Sequence, residues 1–113
     1  MNVTTTRAGG VIVMKVHEPR LTFPILGDFA AMVATHLGQG ENRILVDLTP
    51  VNYVDSATIG CLMDLYRQAS ATGGAFKLAG VQKRVETMLT MTGAHNFLKM
   101  FPDEASAVQS FGA

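Results

Sequence analysis

Hydrophobic and polar positions along this chain alternate between a two-residue and a 3.6-residue rhythm, and each change of rhythm marks an element. The opening "NVTTTR" is rich in β-branched residues and reads as an edge strand, Ala8-Gly9-Gly10 as a turn, and "VIVMKV" as the second strand of a hairpin that Pro19 ends. From Pro24 to Leu37 the apolar residues Leu26, Phe29, Ala30, Val33 and Leu37 fall on one helical stripe. Pro24 is tolerated in its first turn, where the missing N–H would have no partner in any case, and Gly38 and Gly40 stop it.

"RILVDL" (43–48) shows little alternation, the pattern of a strand covered on both faces, so it is expected at the centre of a sheet. A Pro50-Val51-Asn52-Tyr53-Val54 connection delivers the chain to Asp55-Ser56, and helical spacing resumes from Ala57 to Thr72. There Ile59, Leu62, Leu65, Tyr66 and Ala69 point one way, and Gly60, Asp64, Arg67 and Gln68 point the other. Gly73-Gly74 ends this helix. "AFKLAG" reads as a strand, and "VQKRVETMLTMTG" as a helix with Val81, Val85, Met88 and Leu89 inward, closed by Gly93. "NFLKMF" reads as a short last strand, and Pro102-Asp103 opens a terminal helix that packs Ala105, Val108 and Phe111. The order predicts an α/β fold: a mixed four- or five-stranded sheet with four to five helices, one domain over residues 1–113.

Composition narrows the function classes. Nine Lys+Arg balance nine Asp+Glu and the basic residues are scattered apart from Lys83-Arg84, so no nucleic-acid footprint is present. The 48% hydrophobic content comes in runs too short to span a bilayer, and the N-terminus lacks the continuous apolar segment of a secretory signal. A cytoplasmic protein without membrane insertion is expected, and the lone Cys61 fits a reducing compartment as a small core filler rather than a nucleophile. Glycine-rich nucleotide loops, zinc-ligand spacings and nucleophile elbows are all missing. His17, His36 and His95 stand far apart without ligand spacing to Cys61. No metal, cofactor or catalytic residue is implied, and the chain is not expected to be an enzyme.

What remains is the pair Asp55-Ser56 at a helix start. Either residue can cap the helix, its side-chain oxygen accepting an N–H of the first turn. Ser56 can equally be an exposed acceptor, where a phosphate would add about −1.5 to −2 charges. A cap can also be an acceptor, so the two readings are compatible. Gly60, Met63, Asp64 and Arg67, with Ser56 at one end, form the candidate contact surface, because Gly60 permits close approach.

The run "ILVDLTPVNYVDSATIG", followed by "ASATGGAFKLAGVQKRVETMLTMTGAHNFLKMFPDEASAV", closely resembles the STAS domain family, and within it the bacterial anti-sigma factor antagonists. The likeness covers about residues 43 to 111. The resemblance implies that Ser56, in the D-S-x-x-x-G context of Asp55 to Gly60, is phosphorylated by an anti-sigma factor that is also a serine kinase. It implies further that a PP2C-type phosphatase removes the phosphate, and that the unphosphorylated form binds the anti-sigma factor and frees a sigma factor. Asp55, Ser56, Thr58, Gly60, Met63, Asp64 and Arg67 are then the partner-binding residues, with Thr58 as the alternative acceptor. Two departures stand out: Thr58 replaces a frequent Gly, and Glu18 to Pro24 carries Thr22 near a position where the family often has Asp. A weak homodimer stays open. So does a second function, a non-phosphorylated STAS subunit of a stress-sensing or transporter-associated complex.

Overall fold

The computed structural model describes residues 1–112. Strands β1 (Val3–Ala8) and β2 (Val11–Val16) form the expected hairpin, in register from Val3 opposite Val16 to Ala8 opposite Val11. Its two-residue turn holds Gly9 at φ 57° and Gly10 at φ 79°, a left-handed pair that L side chains adopt only with strain. The chain continues through β3 (Arg20–Leu21), α1 (Phe23–Gly38), β4 (Arg43–Asp47), β5 (Tyr53–Val54) and α2 (Ser56–Ala71). After β6 (Ala75–Ala79) and α3 (Lys83–Met91) come a 3₁₀ turn (Ala94–Asn96), β7 (Met100–Phe101) and α4 (Glu104–Ser110).

The main sheet has the order β1-β2-β4-β6-β7, antiparallel in the hairpin and parallel elsewhere. β4 is central, and its alternate residues explain its continuous apolar run. Ile44 and Val46 join the larger core with Phe29 and Val33 of α1, Leu62 of α2 and Val85 of α3, whereas Leu45 joins Val11, Val13 and Ala79 under Ala107 of α4. Three helices therefore cover one face and α4 alone covers part of the other. Burying Leu62 or Leu65 of α2 contributes roughly 1.5–3 kcal/mol each.

Three expectations change. The Pro50 to Val54 connection contains β5, which pairs in parallel with β3 as a separate two-stranded sheet, Arg20 opposite Tyr53 and Leu21 opposite Val54. The last strand shrinks to two residues, because Asn96 lies in the 3₁₀ turn and Phe97 is turned half outward. In α4 it is Ala107 that is buried and Ala105 that is exposed: Asp103 caps the helix through the Ser106 N–H, and that start sets the phase.

A buried polar corner sits where β4 ends. Asp47, 4% exposed, accepts from the Thr49 N–H (2.9 Å) and hydroxyl (2.5 Å). Gly80 (φ 65°) passes so close that a Cβ there would overlap Thr49 Oγ1 and lie 2.9 Å from Asp47 Oδ1. Hydrogen bonding toward Asp47, then burial, then the Asp47 charge push the Glu104 pKa up to about 7, against the opposing pull of Lys15.

Candidate functional site

The corner where β5 hands over to α2 is held by two side chains. Asp55 is extended (φ −102°, ψ 176°) and caps α2, Oδ1 accepting the Thr58 N–H at 2.8 Å. Its Oδ2 accepts the Phe23 N–H at 2.9 Å, the first amide of α1, whose own cap residue Thr22 supplies no side-chain bond. One carboxylate thus serves the starts of two helices. Burial pushes the Asp55 pKa up, but the bonds from the Thr58 hydroxyl, the Phe23 N–H and the Thr58 N–H outweigh it and hold the group below its ordinary value.

Thr58 is fully buried. Its hydroxyl lies 2.7 Å from the Leu21 carbonyl oxygen and 2.7 Å from Asp55 Oδ1, and its one proton serves those two acceptors. This corrects the expectation of Thr58 as an alternative acceptor and partner contact, since neither its oxygen nor its methyl reaches the surface. The signal was present in the sequence: Thr58, Leu62, Leu65 and Ala69 fall at i, i+4, i+7 and i+11, the inward stripe of α2.

Because Asp55 does the capping, Ser56 is left free. It is the first residue of α2, exposed, and its hydroxyl takes part in no hydrogen bond among the described residues. Toward α3 it shares a small apolar recess of about 190 Å³ with Ile59, Met88, Met91 and Thr92, and Met91 is 80% exposed.

On its other flank α2 borders an open groove of about 820 Å³. One wall is Ala57, Gly60, Cys61, Met63, Asp64 and Arg67 of α2; the other is Phe23, Pro24, Leu26 and Gly27 of α1. A Cβ at Gly27 or Gly60 would meet nothing within 4 Å, so these glycines leave the groove open rather than relieve a clash. Phe23, 72% exposed at the lip, was not anticipated; an aromatic residue directly before the first-turn Pro24 was its only signal. Asp64 and Arg67 pair with each other at 2.8 Å on the exposed rim, a contact that adds little to stability. Cys61 lines the groove half-buried, its thiol pKa raised by burial and then by the Asp64 charge, so it stays protonated near neutral pH. The sequence-predicted Gly60, Met63, Asp64 and Arg67 are therefore brought together, with Ser56 on the ridge between groove and recess.

His17 meets Thr4, His36 meets Glu41, and no cluster of three or more metal-ligating side chains occurs among the described residues. No helix among them is long and apolar enough to cross a membrane.

The STAS domain family profile matches residues 2–107. The chain belongs to the STAS domain family. It is 30% identical over 73 residues to a candidate anti-sigma factor antagonist of Thermotoga neapolitana, a match spanning 65% of each chain and so less than two thirds of that relative's length. The crystal structure of a candidate anti-sigma factor antagonist from Thermotoga maritima superposes with a TM-score of 0.88 at 21% identity, covering 98% of this chain and 95% of that one. The anti-sigma factor antagonist SpoIIAA superposes in its unphosphorylated form (TM-score 0.82, 17% identity, 96% and 95% covered). So does the phosphorylated form of the Bacillus cell fate determinant SpoIIAA (TM-score 0.75, 16% identity, 96% and 98% covered). This STAS domain is thus closely related to bacterial anti-sigma factor antagonists, with the mixed five-stranded sheet and four helices of that fold.

Proposed function

We propose that this STAS domain, one unit over residues 1–113, is a cytoplasmic anti-sigma factor antagonist gated by phosphorylation of Ser56. Unphosphorylated, it binds an anti-sigma factor that is also a serine kinase and so releases a sigma factor; a PP2C-type phosphatase restores that state. The observation that carries the reading is the division of labour at the corner: Asp55 caps α2, and the neighbouring Ser56 hydroxyl is exposed and unengaged at the helix start. Groove and recess supply apolar surface on both flanks of that hydroxyl, with the Gly60, Met63, Asp64 and Arg67 wall as partner surface.

A phosphate on Ser56 suits its own helix N-terminus. Within a docked interface it is a dianion that must be desolvated and paired or else excluded. A loss of ~2–4 kcal/mol corresponds to roughly 30- to 1000-fold in Kd, enough for a switch. The test is incubation of wild type and Ser56→Ala with the cognate kinase and ATP, with phosphate located by tandem mass spectrometry. Wild type is expected to be labelled at Ser56, and Ser56→Ala to stay unlabelled and bind constitutively. Full labelling of Ser56→Ala overturns the assignment. No labelling of wild type by a kinase active on another substrate points to the non-phosphorylated subunit instead.

A further inference from the structure

Beside the Ser56 corner three elements bring cations onto one ring. The parallel register of β3 and β5 sets Arg20 opposite Tyr53, and the Arg20 guanidinium carbon lies 4.3 Å from the Tyr53 ring centroid. From the first turn of α3, which packs against β5, the Arg84 guanidinium carbon lies 5.7 Å from the same centroid. Stacking of an exposed guanidinium on a ring is worth about 0.5–1 kcal/mol and fixes the plane of the guanidinium without using its N–H donors. Neither arginine makes an ion pair or a side-chain hydrogen bond among the described residues, although the chain has as many acids as bases. The acids nearest in sequence do not neutralise them: Glu18 accepts from the Asn2 N–H at 2.7 Å, Asp55 is engaged in its two caps, and Glu86 pairs with neither Lys83 nor Arg84.

We propose that Arg20 and Arg84, braced on Tyr53, form a docking site for the carboxylate side chains of an acidic segment on a partner protein. Two oriented forks with all their donors free match carboxylates in bidentate fashion. The site is continuous with the switch: Tyr53 precedes Ser56 by three residues, and Arg84 stands one helical turn before Met88, which shares the recess with Ser56. Its relevance to the switch rests on the proposed function, whereas its preference for carboxylates does not. With an acidic partner docked at this corner, a phosphate on Ser56 adds like-charge repulsion.

The experiment follows arginine Nε–Hε resonances of the unmodified, ¹⁵N-labelled chain, assigned with Arg20→Gln and Arg84→Gln, during titration with a blocked hexaglutamate peptide. Blocked hexalysine and inorganic phosphate are separate arms. Saturable shifts of Arg20 and Arg84 with hexaglutamate alone, weakened roughly 10-fold or more in a folded Arg20→Gln/Arg84→Gln double variant, support the site. Equal shifts at Arg7 and Arg43, no shift at all, or tighter binding of inorganic phosphate than of hexaglutamate overturn it. Because the chain is unmodified and no kinase is present, failure here leaves the Ser56 labelling result untouched, and failure of that labelling leaves this titration unchanged.

Discussion

Removing the Asp55 carboxylate should cost more than one helix cap, because the group serves two. In Asp55→Ala the Thr58 N–H loses its acceptor at 2.8 Å and the Phe23 N–H loses its acceptor at 2.9 Å. A lost N-cap costs typically about 1 kcal/mol, within a range of roughly 0.5–2. The Thr58 hydroxyl keeps the Leu21 carbonyl as acceptor and adds almost nothing. The expected loss is therefore about 2 kcal/mol, twice that of a single cap. Asp55→Asn should lose about half, since its one amide oxygen can keep one N–H while its NH₂ faces the other, donor to donor. Equilibrium urea unfolding followed by circular dichroism reads both as a lower midpoint at unchanged slope. The folded pKa of Asp55 is depressed, so the stabilisation is present above the ordinary value of 3.8 and is lost as pH falls through the lower folded value. The Asp55→Ala penalty should accordingly shrink in acid. A loss below about 1 kcal/mol for Asp55→Ala, or an Asp55→Asn variant as stable as wild type, would refute the double cap.

Glu104 has the opposite sign: its pKa is raised to about 7, the folded state holds the extra proton, and stability should fall as pH rises from the ordinary 4.5 through about 7. Glu104→Gln should flatten that slope in thermal melts at pH 5 and 8, and an unchanged slope would count against the raised Glu104 pKa. Gly80→Ala should destabilise by about 2–3 kcal/mol, since it combines a left-handed residue with overlap on Thr49; a denaturant midpoint within error of wild type would contradict this. Arg67→Glu should slow association with the anti-sigma partner and change its salt dependence without unfolding the domain, and unchanged kinetics by surface plasmon resonance at low and high salt would remove Arg67 from the contact.

Much of the fold was legible because its period is long enough to read. The stripes of α1 and α2 each repeat their pattern several times, β4 stands out as a continuous apolar run, and the hairpin announces itself through Gly9-Gly10. The β3–β5 pair was not legible, since two residues per strand carry no period and the pairing joins positions 20 and 53. At the site, Asp55 and Ser56 are both ordinary caps, so sequence left the assignment open; only the second bond, to the Phe23 N–H, shows why the carboxylate is the one used. Thr58 was misplaced for another reason. Its position on the inward stripe of α2 was readable, but a hydroxyl reads as surface until its acceptor is known, and that acceptor, the Leu21 carbonyl, comes from the β3 strand that was itself invisible.

The stitching of β3, β5, α1 and α2 through Asp55 and Thr58 bears on what kind of message this corner can carry. A group attached to Ser56 lands on a frame already stitched by Asp55 through the Phe23 and Thr58 amides, so it has no loose segment to order and no helix to melt. Any message written there is electrostatic and topographic, legible to a partner that lands on it and silent in the interior. Amide hydrogen exchange should then be nearly the same with and without the modification. Kinase and phosphatase would meet one unchanging backbone, so the mark could be erased without refolding.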